Sequence, residues 1–235
     1  MNYTNKISII IPCYNEINFL EIITQRVLDT KIQNKQIIIV DDFSTDGTRE
    51  LLKKKIEPLV DKVIYHEKNM GKGACIKNAI QFIEGDIVII QDADLEYNPS
   101  DHEKLVKLMI DSNADVVYGT RFSKGTKNPR LNLYIINRIA NFLLTTLTNL
   151  LTGLKISDME TGLKCFKKKA IQSVNLIENR FGFEPEVTIK LAKKKFKFEE
   201  TSITYYARTF KEGKKIRTKD GARALFCIIK YFLIS

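Results

Sequence analysis

Two aspartates, Asp92 and Asp94, directly follow an apolar segment and have the chemistry to hold a metal ion. The segment, Ile87–Ile90, lies in a run without charge between Asp86 and Asp92, which is typical of a strand buried on both faces. Residues two apart on a strand share a face, so the two carboxylates lie together and need a cation. Mg²⁺ or Mn²⁺ takes carboxylate oxygens and keeps positions open for phosphate oxygens. The pair predicts a metal-phosphate site; the alternative is a polar strand end that caps the next turn.

A second set of residues has the chemistry to bind a nucleotide. Asp42 can accept a hydrogen bond from a base N–H, Glu16 can bond a ribose hydroxyl, and Tyr14 can stack on the base. The segment 71–73, Gly-Lys-Gly, lets the backbone approach a phosphate and directs a lysine and a helix N-terminus towards it. The glycine spacings of the Walker and dinucleotide-binding motifs are absent from the sequence. Each group alone is also typical of a turn, so the combination carries the prediction.

Short apolar segments alternate with helical patterns in the first half of the chain, which predicts a mainly parallel sheet covered by helices. The predicted strands are residues 7–11, 37–40, 63–65, 87–90 and 115–118, with later ones at 197–200 and 203–206. The predicted helices are residues 16–28, 48–56, 72–83 and 99–112. In the first half, the acidic and glycine-rich motifs follow strands, at residues 12–16, 40–48, 69–73, 92–96 and 119–122. Because the carboxyl ends of parallel strands meet at one edge of the sheet, we expect a pocket there.

The length and composition favour a single domain. A chain of 235 residues can bury a large core as a single domain. The start is polar and the apolar segment 7–11 is too short for a signal peptide, so none is expected. No uninterrupted apolar stretch approaches the ~20 residues of a spanning helix, so no transmembrane segment is predicted. The cysteines have no metal-ligand spacing, which favours a reducing cytoplasm: Cys13, Cys75, Cys165 and Cys227.

Charge is divided unequally between the halves of the chain. Residues 1–115 carry 14 Lys and Arg against 19 Asp and Glu, whereas residues 116–235 carry 24 against 9. The basic half can bind anionic lipid, phosphorylated substrates or nucleic acid, or it is a solvated surface. No nucleic-acid partner is predicted, because the aromatic residues of this half occupy periodic, core-like positions.

Three helices are predicted in the basic half. Residues 131–154 have a broad apolar face, so this helix either packs in the core or lies on a bilayer with its basic start at the headgroups. Its apolar positions recur at intervals of three and four: Leu133, Ile136, Ile139, Ala140, Leu143, Leu144, Leu147, Leu150 and Leu151. Residues 221–233 predict another amphipathic helix. Near Glu184 and Glu186, the intervening Pro185 suits a first helical turn, and both carboxylates are expected to be mainly structural.

Together these motifs resemble the family-2 glycosyltransferases of the nucleotide-diphospho-sugar-binding fold called GT-A. Within that family the chain looks like the polyprenyl-phosphate sugar transferases, such as dolichyl-phosphate mannose synthase and its bacterial relatives. The resemblance implies a mainly parallel α/β fold in one domain, residues 1–235. Residues 1–122 would bind nucleotide sugar and metal, and residues 123–235 would form a basic, membrane-proximal acceptor half. The resemblance covers almost the whole chain and rests on residues 12–16, 40–48, 69–73, 85–94, 119–122, 158–162, 164, 166 and 206–215.

The resemblance also implies roles for individual residues. The nucleoside is expected at Pro12, Tyr14, Glu16 and Asp42, beside the phosphate-binding Gly71 and Lys72 and the metal-bound diphosphate at Asp92. Mg²⁺ or Mn²⁺ is expected at Asp92, Asp94 and Glu96, although such enzymes often have glutamine in place of Glu96. The lipid phosphate is expected at Arg121, Arg130 and Arg138, with Arg208, Lys214 and Lys215 closing over the phosphates. The expected catalytic set is Asp92, Asp94, Arg121 and Arg208.

The implied reaction is transfer of a hexose from a GDP- or UDP-sugar donor to polyprenyl phosphate, with inversion at the anomeric carbon. A phosphate acceptor is already an anion and needs little help from a base. The alternative acceptor is a saccharide hydroxyl in cell-surface polysaccharide synthesis, which requires a base; Asp158 and Glu160 are the candidates. The two histidines, His66 and His102, lie in no motif and are not expected to be catalytic.

A lipid acceptor implies a location at the cytoplasmic membrane. The enzyme is expected in the cytoplasm, bound peripherally to the inner face of the plasma membrane. The expected membrane contacts are residues 131–154 and 224–234, both flanked by basic residues. A separate membrane-protein partner is the alternative way of reaching the lipid.

Overall fold

A computed structural model describes residues 5–122, 126, 135–209 and 218–234 of the chain. In this part of the chain, seven strands form one sheet with helices packed on both faces. The strands are β1 (Ile7–Cys13), β2 (Lys35–Asp41), β3 (Lys62–Tyr65), β4 (Ile87–Ile90), β5 (Val116–Thr120), β6 (Lys164–Lys167) and β7 (Phe198–Ser202). The helices are α1 (Leu20–Leu28), α2 (Thr48–Leu51), α3 (Lys72–Ile80), α4 (His102–Asp111), α5 (Ile135–Thr152), α6 (Lys168–Gln172), α7 (Phe183–Lys193) and α8 (Thr218–Ile234).

The sheet is mainly parallel, as the alternating pattern predicted. Its strand order is β3-β2-β1-β4-β6-β5-β7. The pairs β1–β2, β1–β4, β2–β3 and β5–β7 are parallel, whereas β6 is antiparallel to both β4 and β5. The chain order reverses at β1, which has β2 on one side and β4 on the other. The carboxyl ends of these three strands therefore border the crevice in which open α/β sheets bind ligands.

The central strands are apolar along their length because helices cover both of their faces. All seven residues of β1 are buried. Ile9 packs with residues of α1 and α4, whereas Ile10 packs with residues of α3, α7 and α8. This alternation is the period-2 geometry of a strand, with an apolar layer on each side.

Three segments differ from the predicted elements. The predicted helix at 48–56 is the short α2 followed by a π-helical turn at Leu52–Ile56. The predicted strand at 203–206 is wrong, since Tyr205 makes only an isolated antiparallel bridge with Tyr97. Strand β6 was not predicted, because it is four residues long and begins and ends with lysine. Its first residue, Lys164, is nevertheless buried, with Nζ 3.5 Å from the centre of the Tyr118 ring.

Helix α5 turns its polar residues inward and much of its apolar face outward. Asn141, Thr145 and Thr148 are buried, whereas exposed fractions reach 76% for Ile136 and 78% for Leu150. Within α5, the core-helix interpretation is therefore wrong for this face, although the leucines at 144, 147 and 151 pack partly against the core. Residues 131–134 of the predicted helix, Leu133 among them, lie outside the described residues.

The inward polar side chains of α5 bind the loop at residues 156–160, at two backbone amides and one carboxylate. Asn141 donates to the Asp158 carboxylate and accepts from the Glu160 amide, at 3.1 and 3.3 Å. Thr145 accepts from the Met159 amide at 3.1 Å. These bonds satisfy buried backbone groups that have no partner in a strand or helix, and they fix a loop that borders the functional site.

His102 gives the fold a testable acid sensitivity. Its side chain is buried, with Nε2 2.8 Å from the Gln91 side-chain oxygen, and burial lowers the pKa of His102 to about 3. The unfolded chain binds a proton near pH 6.5 while the folded chain does not, so stability is lost as the pH falls below 6.5. We expect this residue alone to lower the free energy of unfolding by about 2 kcal/mol between pH 7 and pH 5.

Urea unfolding at both pH values checks this expectation. The matched variant His102→Gln keeps a polar side chain but cannot titrate, so its pH 7 to pH 5 difference is expected to be smaller by about 2 kcal/mol. An equal pH difference in both proteins would contradict the buried neutral histidine.

Candidate functional site

A cavity of about 870 Å³ lies at the carboxyl edge of the sheet, where the motifs were predicted to meet. Its wall includes the end of β1, the beginnings of α3 and α7, one side of α5 and the start of α8. Twelve residues predicted to bind the donor, the metal ion or the acceptor phosphate line this cavity: Pro12, Tyr14, Glu16, Asp42, Gly71, Lys72, Asp92, Asp94, Glu96, Arg121, Arg138 and Arg208. Arg130, Lys214 and Lys215 lie outside the described residues.

The acidic residues surround the guanidinium group of Arg208. Arg208 Nη2 donates to the Asp94 carboxylate at 2.5 Å, and Nη1 donates to the Glu16 carboxylate at 3.1 Å. The Arg208 backbone amide donates to Glu96 at 2.6 Å, and the Tyr205 hydroxyl donates to the same carboxylate at 3.1 Å. The segment 205–208 therefore packs against the acidic cluster, and the predicted contact of Arg208 with the phosphates stays a prediction.

This acidic cluster fits a divalent cation. Burial and the nearby charges of Glu96 and Asp92 raise the pKa of Asp94, and the Arg208 guanidinium offsets only part of that effect. A site in which a carboxylate resists ionisation gains stability from an added positive charge. The donor set, carboxylate oxygens alone, is the kind that Mg²⁺ and Mn²⁺ prefer. Asp92, Asp94 and Glu96 are the residues that would hold the ion.

A different group of metal-type ligands lies next to the cavity. Among the described residues, side-chain ligand atoms of Asp42, His66 and Cys75 all lie within 4.8 Å of one another. Both nitrogens of His66 are already engaged, Nδ1 with Asp42 and Nε2 with the Asn78 amide, each at 2.8 Å. Burial and the charge of Asp42 raise the pKa of the Cys75 thiol, which disfavours the thiolate that binds metals. This network is satisfied without an ion.

Asp42 holds the loop that precedes α3. Its carboxylate accepts from the backbone amides of Met70 and Gly71, at 2.8 and 2.7 Å, and from the Asn69 side chain at 2.9 Å. With His66 it has four protein donors, which matches the capacity of a carboxylate. A direct bond from Asp42 to a base N–H stays a prediction, and it would need one of these donors to move.

Gly71 is required at its position for two reasons. Its φ of +101° lies in the region that favours glycine, and a Cβ atom would come within 2.4 Å of the Asn179 carbonyl oxygen. The chain can therefore bring the start of α3 against the loop before α7.

Lys72 lies between two carboxylates at the floor of the cavity. Its Nζ is 2.7 Å from Asp92 Oδ1 and 3.1 Å from Glu184 Oε1. Burial alone would lower the pKa of Lys72, but the charges of Asp92 and Glu184 outweigh it, and the pKa is raised. The lysine is therefore a permanent cation beside the predicted diphosphate position.

Arg121 is held rigidly by Asp158. Arg121 Nε and Nη2 each donate to the Asp158 carboxylate at 2.7 Å, and the Arg121 amide donates to it at 3.0 Å. The guanidinium also packs 5.3 Å from the centre of the Tyr205 ring and 5.4 Å from that of Phe122. Arg138 of α5 also packs on Phe122, 5.8 Å from the ring centre. Two predicted phosphate-binding arginines thus share one aromatic residue at the cavity wall.

The structure separates the two candidate bases. Asp158 is fully buried and bound by Arg121 and Asn141, and it is not among the residues that line the cavity. Its interpretation as a base is therefore disfavoured. Glu160 lines the cavity, and no described protein group donates to its buried Oε1.

Several cavity residues were not predicted from the sequence as site residues. Asn69, Tyr97, Gly162, Arg180 and Glu184 all line the cavity. Asn69 and Gly162 lie within the motifs at residues 69–73 and 158–162, so the sequence indicated these segments but not these residues. Glu184 was expected to be mainly structural, but it also faces the cavity; a carboxylate in the first turn of an apolar helix is the only sequence signal for it. Glu186, two residues later, is structural as expected, since it accepts from the amides of residues 177 and 178.

Comparison with known proteins gives the following relatives. The family model described as Glycosyl transferase family 2 matches residues 8–174. An uncharacterized protein of Methanocaldococcus jannaschii is 29% identical over 97% of this chain and 94% of its own length. A dolichol-phosphate mannosyltransferase of Pyrococcus furiosus is 30% identical over 89% of this chain and 59% of its own length. A UDP-N-acetylglucosamine–dolichyl-phosphate N-acetylglucosaminyltransferase of Methanococcus voltae is 30% identical over 84% of each chain.

Solved structures share the fold. Glucosyl-3-phosphoglycerate synthase from Mycobacterium tuberculosis, in complex with Mn²⁺, UDP and glucosyl-3-phosphoglycerate, gives a TM-score of 0.70 at 17% identity, covering 99% of this chain and 81% of that chain. A mannosyltransferase from Pyrobaculum calidifontis, in complex with GDP-Man and Mn²⁺, gives a TM-score of 0.66 at 16% identity. The match covers 99% of this chain and 71% of that chain. At these identities the likeness concerns the fold, and it confirms the predicted GT-A architecture.

Proposed function

The chain belongs to glycosyl transferase family 2 and is a glycosyltransferase, and from that premise we propose that it moves a hexose from a nucleotide-diphosphate sugar to polyprenyl phosphate. The observation that carries the proposal is the composition of one cavity. The same space is lined by an acidic cluster that suits Mg²⁺ or Mn²⁺, by the buried Lys72 beside it and by the arginines at positions 121 and 138. Relatives at 30% identity are named for transfer to dolichol phosphate, which supports the same acceptor class here.

The donor would lie along the carboxyl ends of the strands. The nucleoside would contact Pro12, Tyr14 and Glu16 at the end of β1. The diphosphate would reach the start of α3, where backbone amides and the fixed charge of Lys72 favour an anion. Bound at Asp92, Asp94 and Glu96, the metal ion would supply positive charge to the departing nucleoside diphosphate.

The acceptor phosphate would enter from the arginine side. Arg121 cannot swing freely, because Asp158 holds it through two parallel bonds, so it presents a preorganised cation. The phosphate oxygen attacks the anomeric carbon from the face opposite the leaving diphosphate, which inverts that centre. Because the attacking oxygen is already ionised, this step needs no general base.

We propose further that the enzyme binds the inner face of the plasma membrane through α5 and α8. Among the described residues, no helix combines the length and apolar character needed to cross a bilayer. Instead, α5 exposes Phe142 and Leu143, and α8 exposes Phe226 and Leu233. Helices α5 and α8 pack against each other, and clustered exposed apolar side chains are typical of a surface that binds a membrane or a partner. Both helices also line the cavity, so a lipid held at this face would bring its phosphate to the cavity entrance.

The double substitution Phe142→Ser and Leu143→Ser tests this membrane face. Both side chains are more than half exposed, so folding stability is expected to be unchanged. Loss of their burial in lipid is expected to weaken binding to vesicles about tenfold or more. Co-sedimentation with vesicles of equal phosphatidylethanolamine and phosphatidylglycerol measures the change. The matched control is Ile110→Ser with Ile177→Ser, which removes two exposed apolar side chains outside α5 and α8. Equal vesicle binding by all three proteins would contradict this face.

A saccharide acceptor is the alternative, and Glu160 is the observation that favours it. This carboxylate faces the cavity, and burial together with the charge of Glu184 raises its pKa. A raised pKa suits a group that takes a proton from a sugar hydroxyl near neutral pH. This reaction would need Glu160, whereas transfer to a phosphate would not need a base.

Release of nucleoside diphosphate tests the acceptor class. The purified protein is incubated with Mn²⁺ and GDP-mannose, UDP-glucose or UDP-N-acetylglucosamine in detergent micelles. We expect undecaprenyl phosphate to accelerate release from one donor by at least about tenfold. Undecaprenol, which lacks only the phosphate, is the matched control and is expected to have no effect. If saccharides accelerate the release of nucleoside diphosphate and undecaprenyl phosphate does not, the acceptor is a saccharide and the lipid-phosphate proposal is wrong.

A further inference from the structure

Two carboxylates that line the cavity each have one oxygen without a hydrogen-bond partner among the described residues. Glu184 is 3% exposed, its Oε1 contacts Lys72, and no described group donates to its Oε2. Glu160 has the same kind of unpartnered oxygen, Oε1. Buried acceptors normally have donors, because leaving them unpaired costs free energy. Two such oxygens on the wall of one cavity therefore point to a ligand that carries donor groups.

These carboxylates lie beside the predicted position of the diphosphate. Lys72 Nζ contacts both Glu184 and Asp92, at 3.1 and 2.7 Å, so the two carboxylates are separated by one ammonium group. Glu160 lies two residues before Gly162, at which a Cβ atom would come within 2.1 Å of Asp92 Oδ2. The Gly162 amide is fixed by the Tyr97 hydroxyl at 2.8 Å. The chain thus holds Glu160 and Glu184 close to Asp92.

The group that must lie next to a bound diphosphate is the sugar that is transferred. In a nucleotide sugar the hexose is joined directly to the second phosphate, and its hydroxyls are hydrogen-bond donors. The ribose also carries hydroxyls, but the nucleoside is expected at the end of β1, beside Tyr14 and Glu16. Carboxylate oxygens accept such bonds and, when ionised, donate none.

We propose, resting on the proposed function, that Glu184 and Glu160 bind hydroxyl groups of the transferred hexose and restrict the donor to uncharged sugars. A nucleotide uronate, whose hexose carries a carboxylate, would place another negative charge in this buried acidic site. The pair therefore selects neutral hexoses by attraction of hydroxyls and by repulsion of anions.

Isothermal titration calorimetry in the presence of Mn²⁺ tests this proposal, because the affinities of nucleotides with and without the sugar can be compared. Affinities of the wild type and Glu184→Gln are compared for UDP, GDP, UDP-glucose, GDP-mannose, UDP-N-acetylglucosamine and two uronates, UDP-glucuronate and GDP-mannuronate. The variant keeps an oxygen for Lys72 but replaces the unpartnered oxygen with an amide NH₂, which donates hydrogen bonds and does not accept them. We expect the preferred neutral nucleotide sugar to bind about 10- to 100-fold more weakly. The corresponding nucleoside diphosphate is expected to bind equally, and the preference for neutral sugar over uronate is expected to narrow by about tenfold.

Two further variants keep the test decisive. Glu160→Gln is expected to give the same pattern and does not touch Lys72. Glu186→Gln is the matched control, because this buried carboxylate lies on the same helix, has protein donors and is not among the cavity-lining residues. It is expected to lower the melting temperature and leave the sugar preference unchanged.

The outcomes separate this inference from the proposed function. Equal weakening of nucleoside diphosphate and nucleotide sugar in Glu184→Gln would overturn the inference, since the residue would then act through Lys72 on the diphosphate. Unchanged affinities in both cavity variants would also overturn it, while the transferase function stands. Failure of the wild type to bind any nucleotide would overturn the proposed function and the inference with it.

Discussion

Asp94→Asn is expected to lower the rate of sugar transfer by about 100- to 1,000-fold, the cost of removing one preorganised charge contact to a leaving group. Asp94 lies at the centre of the acidic cluster, with Glu96 and Asp92 beside it and Arg208 as its ion-pair partner. Asparagine keeps the shape of the side chain but removes a negative charge, and therefore an expected ligand of the metal ion. A transfer assay at saturating Mn²⁺ measures the loss.

The same substitution is expected to leave the apo protein at least as stable as the wild type. Removing one of several crowded carboxylates relieves like-charge repulsion, and Arg208 keeps its pair with Glu16 at 3.1 Å. Thermal unfolding without metal or nucleotide tests this. Asp111→Asn is the matched control; this exposed aspartate on α4 lies outside the cavity-lining set and should change neither property. A melting temperature several degrees lower in Asp94→Asn would mean that the carboxylate is structural.

The second large effect is expected from Asp158→Asn, which should lower the free energy of unfolding by about 3 to 5 kcal/mol. Asp158 is fully buried and pairs with Arg121 through two bonds of 2.7 Å. Its removal leaves the guanidinium of Arg121 buried without a counter-charge. It also removes an ion-pair anchor between the Arg121 segment and the loop that α5 holds through Asn141.

Urea unfolding of a double-mutant cycle measures the coupling between these residues. Arg121→Met with Asp158→Asn should be less destabilised than the sum of the single variants, because no uncompensated charge remains. If the single variants simply add, the pair does not act as a buried ion pair. Activity is expected to fall in each of these variants, since Arg121 is the proposed acceptor-phosphate contact.

The sequence predicted the parallel strands and the edge at which the site forms, because both depend on local patterns. The apolar segments before Asp42 and Asp92 end where polar residues begin, and parallel strands bring such ends together. That reasoning brought twelve of the predicted residues to the wall of one cavity. Their individual roles stay predictions, because contacts with a ligand depend on how neighbouring segments close.

The features that the sequence did not predict depend on tertiary contacts. The periodicity of residues 131–154 gives an apolar face but not its direction, and the inward face of α5 is set by the loop that Asn141 and Thr145 bind. The orientation of Glu184 towards the cavity depends on Lys72, which is 112 positions earlier in the chain. Asp158 was a reasonable base on composition alone, and only its pairing with Arg121 removes it from that role.

Transfer of radiolabel into lipid tests the central proposal most directly. The purified protein is incubated with Mn²⁺, undecaprenyl phosphate and, separately, radiolabelled GDP-mannose, UDP-glucose and UDP-N-acetylglucosamine, and the organic phase is counted. We predict label in the organic phase with one donor, dependent on Mn²⁺ and lost in Asp94→Asn. Organic-phase label that is absent with all three donors, while the same preparation transfers sugar to a saccharide, would contradict the lipid-phosphate acceptor.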